Sequence, residues 1–154
     1  MASTRVRLIS VIGAGTATGP TWQRAHQVGQ LLARKGFGVV TGGLGGVMEA
    51  AAMGCVQAGG MSVGILPGGD PAAANPWCRV VIPSGMGQAR NVLVISAGLG
   101  AIAISGGAGT LSEIGHALKL GKPVVGLETW ELPGLPEADN PEEAVELLMD
   151  RLHG

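Results

Sequence analysis

Apolar positions along the chain fall into two alternating rhythms. Residues 5–12, 38–41, 62–66, 101–104 and 124–127 are short runs, mostly apolar and without polar alternation, the pattern of strands buried on both faces. Between them, apolar residues recur at helical spacing. Trp22, Ala25, Val28 and Leu32 form one stripe of a helix that follows Pro20 and runs to about residue 35, where Gly36 ends it. A second helix covers about 47–58 and a third runs from Arg90 and Asn91 to about 97. Leu111, Ile114, Gly115 and Leu118 mark a fourth over 111–120, stopped by Gly121 and Pro123. Asn140-Pro141-Glu142-Glu143 opens a last helix with a cap, a proline at the first position and an acid at the third. Its Val145, Leu148, Met149 and Leu152 share one face, which predicts packing on the sheet. Residues 79–82 read as a further short strand, and 70–77 and 131–139 as loops.

Strands alternating with helices throughout predict an α/β fold: a doubly wound parallel sheet in three layers, one domain over residues 1–154. Ligands of such sheets bind at the carboxyl ends of the strands. Three of the predicted strands run directly into glycine turns: Gly13 to Gly19, Gly42 to Gly46, and Ser105-Gly106-Gly107-Ala108-Gly109-Thr110. These turns are therefore expected to gather into one cleft. A glycine turn opening a helix leaves backbone N–H groups unpaired at the positive end of the helix dipole, which is a phosphate cradle.

Composition narrows the class. Glycine accounts for 28 of 154 residues, yet 46% of the chain is hydrophobic and no collagen period appears, so the glycines serve local backbone roles in a folded protein. Cys55 and Cys78 are too few for a disulfide framework, show no metal-ligand spacing and have no activating neighbour, so free thiols in a reducing compartment are expected. The apolar run at 8–12 is shorter than a signal-peptide core, and the run at 92–104 is too short to span a bilayer; a cytoplasmic, non-membrane protein is expected. Net charge is −1, but residues 1–127 carry +6 and residues 128–154 carry −7. A basic body suits an anionic ligand, although ordinary surface charge accounts for it equally. Nucleic acid is disfavoured, because the longest basic cluster is Arg34-Lys35 and base-stacking residues are nearly absent, with one Phe and no Tyr.

Several familiar chemistries are excluded by spacing. Gly13-x-Gly15-x-x-x-Gly19 is one residue longer than the dinucleotide fingerprint, and no Asp or Glu precedes Glu49 to hold a ribose. No Gly-Lys-Ser/Thr follows a glycine turn, and no Gly-x-Ser-x-Gly elbow occurs. What remains is one acid, Glu113, close behind the third turn. A carboxylate beside a phosphate cradle could stabilise an oxocarbenium-like state and activate water, with Arg90 pairing to phosphate or ribose hydroxyls. Thr110-x-x-Glu113 is equally a capping box, in which the glutamate folds back on the backbone. Arg90 could equally form an interface ion pair, and Thr110 could cap the helix, donate to phosphate, or both. Glu49 reads as a second acid or as a dipole-favouring residue at a helix start. His116 is expected on the exposed side of its helix, Trp22 in a buried stripe and Trp77 in a loop, where it could stack on a base.

The turns taken together are more specific than any one of them. Ser105-Gly-Gly-Ala-Gly-Thr-Leu-Ser-Glu113 resembles the Pro-Gly-Gly-x-Gly-Thr-x-x-Glu signature of the LOG (Lonely Guy) family, and Thr41-Gly-Gly-Leu-Gly-Gly-Val-Met48 its Gly-Gly-Gly-x-x-Gly-Leu-Met signature. Arg90 lies where that family's Arg-Lys pair begins. The resemblance covers about residues 8–127. It implies a modified Rossmann fold, a homo-oligomer (dimer or tetramer), and phosphoribohydrolase activity that releases a base from a nucleoside 5′-monophosphate, with Arg90 and Glu113 carrying the reaction and no metal or cofactor required. The ligand-binding positions it implies are Gly13, Gly15, Gly42, Gly43, Gly46, Glu49, Asn91, Gly106, Gly107, Gly109 and Thr110.

Ser105 in place of proline, Asn91 in place of lysine, Leu99 in place of aspartate and Glu49 in place of glycine look closer to a sister branch, the molybdenum cofactor carrier-like proteins. That likeness implies binding of a phosphorylated pterin without chemistry. The two expectations separate cleanly: an enzyme releases free base from nucleoside monophosphates, whereas a carrier is stabilised by its ligand and turns nothing over.

Overall fold

In the computed structural model, which describes residues 4–154, seven strands form one parallel sheet. They are β1 (Leu8–Gly13), β2 (Gly38–Thr41), β3 (Ser62–Leu66), β4 (Val80–Pro83), β5 (Ala101–Ile104), β6 (Val124–Leu127) and β7 (Glu137–Ala138). Their order across the sheet is β4-β3-β2-β1-β5-β6-β7. The chain builds outward from β1 to one edge, then returns to place β5 on the other side of β1, with Ser10 opposite Ala101 and Gly13 opposite Ile104. The reversal between β1 and β5 is where sheets of this kind open a crevice at their carboxyl ends.

Five helices cover the two faces: α1 (Gly19–Arg34), α2 (Val47–Gln57), α3 (Arg90–Ala97), α4 (Ala108–Lys119) and α5 (Pro141–His153). Side chains alternate across the central strands, so β1, β2, β5 and β6 feed both cores. On one face Ile9, Val11, Val39, Ile102 and Val125 meet Val28 and Leu32 of α1, Val47 and Ala51 of α2, and Leu148 of α5. On the other face Ile12, Val40, Ile65 and Ala103 meet Val94 and Ile95 of α3 and Ile114 and Ala117 of α4. Burying each of the valine, leucine and isoleucine side chains among them stabilises the fold by roughly 1.5–3 kcal/mol. Ser10, fully buried on the α3 face, donates its hydroxyl to Val94 O at 2.7 Å and so leaves no unsatisfied group.

Two contacts position the elements around the crevice. Gly29 of α1 and Gly54 of α2 let these helices cross at backbone contact: a Cβ on Gly29 would stand 2.1 Å from Ala51 O, and one on Gly54 2.0 Å from His26 O. Lys122 donates its Nζ to Ile95 O, Ser96 O and Gly98 O at 2.9, 2.9 and 2.6 Å, satisfying the carbonyl end of α3.

The structure corrects the predicted elements in three places. Strand β1 begins at Leu8 rather than residue 5: Arg7 precedes it, giving its carbonyl to Gly38 N at 2.9 Å while its guanidinium lies over the Phe37 ring, 4.5 Å from the centroid. Helix α4 begins at Ala108, a turn earlier than 111, since a glycine at its second position is tolerated where backbone groups face outward. The predicted loop at 131–139 contains β7, which pairs Glu137 with Gly126 as Leu135 and Ala138 bury against the sheet. No helix among the described residues is long and apolar enough to cross a membrane.

Candidate functional site

At the reversal between β1 and β5 the structure opens a cleft of about 190 Å³. Its walls are Val11 to Gly15 at the end of β1 and just after it, Gly42 from the second turn, Met48 from α2, Gln88 just ahead of α3, Arg90 and Asn91 from the start of α3, Gly107 from the third turn, and Gly109, Thr110 and Glu113 from α4. The three glycine turns thus contribute to one cleft. The volume is below the 300–1,000 Å³ common for a whole drug-sized ligand.

Glycine serves two different purposes here. At Gly13, Gly42 and Gly46 it permits close packing of the walls. A Cβ on Gly13 would lie 2.2 Å from Ile104 O, one on Gly46 2.3 Å from Ala14 O, and one on Gly42 2.8 Å from both Arg90 Nη2 and Met48 Sδ. At Gly15, Gly107 and Gly109 a Cβ would meet nothing within 4 Å. These three positions leave backbone open to an incoming ligand. Gly107 is the N-cap of α4, no side chain caps the helix, and its first intrahelical bond runs from Leu111 N to Gly107 O at 3.0 Å. The amides of the first turn are therefore free at the positive end of the dipole.

Arg90 and Glu113 are buried beside these amides, 7% and 8% exposed. Arg90 donates Nε to Ile65 O at 3.0 Å and Nη1 to Asn91 Oδ1, which fixes the plane of the guanidinium. Its Nη2, next to Gly42, makes no hydrogen bond among the described residues and is available to an anion in the cleft. Burial lowers the guanidinium's pKa, opposed by the charge of Glu113. Burial pushes the Glu113 carboxyl up to about 7, partly countered by Arg90. Glu113 thus exchanges its proton near neutrality, inside a cleft with donors on the facing wall.

The capping-box alternative is excluded by the position of the helix start. With Gly107 at the N-cap, Thr110 lies within the first turn and Glu113 one turn on, where it cannot return to a cap. Thr110 is not the cap either; it is buried against Gly106, where a Cβ would stand 2.2 Å from its Oγ1.

Four implied ligand positions fall outside the cleft lining. Gly106, with φ +104, shapes the third turn, and Gly46, with φ +65, docks the second turn on the first. Gly43, with φ +79, binds Thr41 Oγ1 through its N–H and Asn75 N through its carbonyl. Glu49 lies in the first turn of α2, where its charge acts on Cys78. His116 is half-buried, not exposed, with a buried Nε2 that has no hydrogen-bond partner. Trp77 does not line the cleft; Trp22 packs on the α1 core as expected. Met48 and Gln88 do line it without having been singled out, and only their adjacency to Gly42 and Arg90 pointed to them.

Ser105 adopts φ +55 and donates its N–H to Leu127 O at 3.2 Å. Proline can do neither, since its ring fixes φ near −65° and removes the donor. The departure from the Pro-Gly-Gly signature is therefore a different backbone in the turn, not a neutral exchange.

The comparisons with known proteins agree with this architecture. A family model described as the SLOG cluster4 family matches residues 6–151. An uncharacterized protein of Archaeoglobus fulgidus is 44% identical over 138 residues, covering 89% of this chain and 91% of its own. The molybdenum cofactor binding protein of the phototrophic bacterium Rippkaea orientalis superposes with a TM-score of 0.90 at 35% identity, over 97% of this chain and 99% of that one. The molybdenum cofactor carrier protein of Chlamydomonas reinhardtii superposes with a TM-score of 0.87 at 29% identity, over 97% and 100%. By a match that spans nearly its whole length, this chain belongs to the SLOG cluster4 family.

Proposed function

We propose that this protein binds a phosphorylated pterin of the molybdenum cofactor type as cargo and carries it without altering it. The observation that carries the reading is the uncapped start of α4 facing the unpaired Nη2 of buried Arg90 across a glycine-lined cleft. Free amides and a guanidinium on opposite walls suit a terminal phosphate. Glu113, with its pKa pushed up to about 7, is about half protonated near neutrality, and in its neutral form it tolerates an anion beside it or donates to a ring acceptor. The two solved relatives named above bind or carry the molybdenum cofactor, and both cover this chain almost end to end.

A second reading, hydrolysis of nucleoside 5′-monophosphates, is favoured by one specific feature. A carboxyl of pKa about 7 next to an anion cradle is poised to exchange a proton with water or a leaving base. The carrier reading expects a raised melting temperature with the phosphorylated pterin and no free base from AMP, GMP or a cytokinin riboside monophosphate. Base release that disappears in Glu113→Gln would replace the carrier by the enzyme.

We further assign this chain to homo-oligomers in a reducing compartment. Val92 and Leu93 on the outer side of α3, with Leu99 beyond it, are exposed and supply an apolar face for a second copy. Cys55 is a buried free thiol with its pKa pushed up to about 11, and Cys78 is free and half-buried, so neither is set up for redox chemistry. Light scattering that gives the monomer mass would overturn the oligomer.

A further inference from the structure

Glu113 is a buried carboxyl that the protein leaves without a partner. It lines the cleft, yet its side chain makes no hydrogen bond or ion pair among the described residues. Its oxygens are not among the buried polar atoms that lack a partner, so they open into the cleft. Arg90 directs Nε to Ile65 O at 3.0 Å and Nη1 to Asn91 Oδ1, both neutral acceptors, and so is held off the carboxylate. The two charges share one small cleft without pairing.

Among the described residues, no other ionisable group lines the cleft. Helix α4 packs against α3, β1, β5 and β6. Arg90 is the one ionisable side chain of α3, and the three strands carry none. On α4 itself, His116 lies one turn beyond Glu113, off the cleft lining, and Lys119 is exposed. Lys122 Nζ is committed to three carbonyls at the end of α3, and Glu128, after β6, to Arg24 at 3.1 Å. Glu49 of α2 does not line the cleft.

In the free cleft the guanidinium is therefore the one charge that favours an ionised Glu113. An anion seated on its free Nη2 cancels that support and adds like-charge repulsion within the same small space. Both effects drive a proton from solvent onto the carboxyl. The neutral acid then presents an O–H donor beside the amides of α4, where the carboxylate only accepts.

We propose that anion binding in this cleft is proton-coupled: each phosphate group that enters brings one proton from solvent onto a Glu113 oxygen, and ionisation of Glu113 loosens the ligand. This rests on the reading of the cleft as a phosphate site and gives that site a means of release. With the carboxyl's pKa at about 7 in the free cleft, the proton is already in place below that pH and coupling is weak. Above it, uptake approaches one proton per anion and affinity falls as pH rises.

The test is isothermal titration calorimetry on the full chain with inorganic sulfate as the probe, at pH 6 and pH 8, in two buffers of different ionisation enthalpy. Sulfate stays doubly charged across this range, whereas a phosphate ester's own ionisation near about pH 6 would add to that of Glu113. Wild type is expected to bind about tenfold more weakly at pH 8 than at pH 6 and, at pH 8, to take up close to one proton per sulfate, read from the dependence of the heat on buffer. Glu113→Gln, which has no proton to exchange, should bind equally at the two pH values with no uptake, and His116→Gln should keep the wild-type uptake. Equal affinity of wild type at both pH values, with no uptake, overturns the coupling and leaves the cleft assignment standing. Uptake that survives in Glu113→Gln or vanishes in His116→Gln also overturns it, by assigning the proton to another group. No saturable binding of sulfate or phosphate by wild type at pH 6 overturns both readings.

Discussion

The α1–α2 crossing and the cleft are both built on glycine, and they use the missing side chain in opposite ways. At Gly29 and Gly54 the absent Cβ is space that the neighbouring backbone has filled, to within 2.1 and 2.0 Å of where it would stand. At Gly15, Gly107 and Gly109 it is space that nothing in the protein fills. The first pair holds two helices together; the second group leaves backbone open along the cleft. A glycine count cannot separate the two, but the surroundings of each missing methyl do. Alanine scanning should therefore split the glycines into one set that controls stability and another that controls binding.

The largest effect is expected at the helix crossing. Gly54→Ala forces a methyl into His26 O, and α1 and α2 must separate, at a cost of about 3 kcal/mol or more. For a chain of this length that lowers the melting temperature by roughly 6–12 °C, measured by calorimetry, while ligand affinity below the transition stays unchanged. A Gly54→Ala protein as stable as wild type would break the contrast.

Glu113→Gln is next, and its effect depends on pH. The folded pKa of about 7 lies above the ordinary 4.5, so between these values the folded state holds the proton more tightly than the unfolded one, and stability falls as pH rises through that window. The full penalty for ionised Glu113, on the order of 3 kcal/mol, is present above the window. Glutamine removes it. Denaturant melts at pH 8 should show Glu113→Gln more stable than wild type, with the difference gone at pH 4; a constant difference across pH would remove Glu113 from the buried cleft.

Gly109→Ala sharpens the comparison from the other side. The methyl meets no protein atom and replaces glycine within a helix, so stability should rise by about 0.5–1 kcal/mol. Phosphate binding should fall about tenfold or more, because the methyl occupies ligand space. A calorimetric titration checks both halves. The smallest effect on binding is a control outside the cleft: Asn140→Ala removes the cap that accepts from Glu143 N at 2.8 Å, costing about 1 kcal/mol of stability with no change in binding.

Much of the architecture could be read from the chain because its signals are local. The apolar runs at 101–104 and 124–127 are β5 and β6, and Asn140-Pro141 caps α5 as its order implies. The convergence of Gly13, Gly42 and Gly107 on one cleft followed from strand alternation alone. What stayed hidden depends on geometry that no short window contains. Thr110-x-x-Glu113 reads identically as a capping box and as a cleft acid, and only the start of α4 at Ala108 decides between them. Gly43 and Gly46 belong to the same signature as Gly42, yet positive φ values rather than ligand space account for them. Strand β7 is two residues long, and Trp130 reaches Gly107 across 23 residues; neither leaves a periodic trace.

The central claim is that a phosphorylated ligand is held between the start of α4 and the free edge of Arg90. It is tested most directly by equilibrium binding of the phosphorylated pterin to wild type and Arg90→Met, compared with both proteins folded. The account predicts saturable binding by the wild type and a loss of at least about a hundredfold in the variant, as expected for removing a charge-assisted phosphate contact with no replacement. Equal affinity in the two proteins would contradict it.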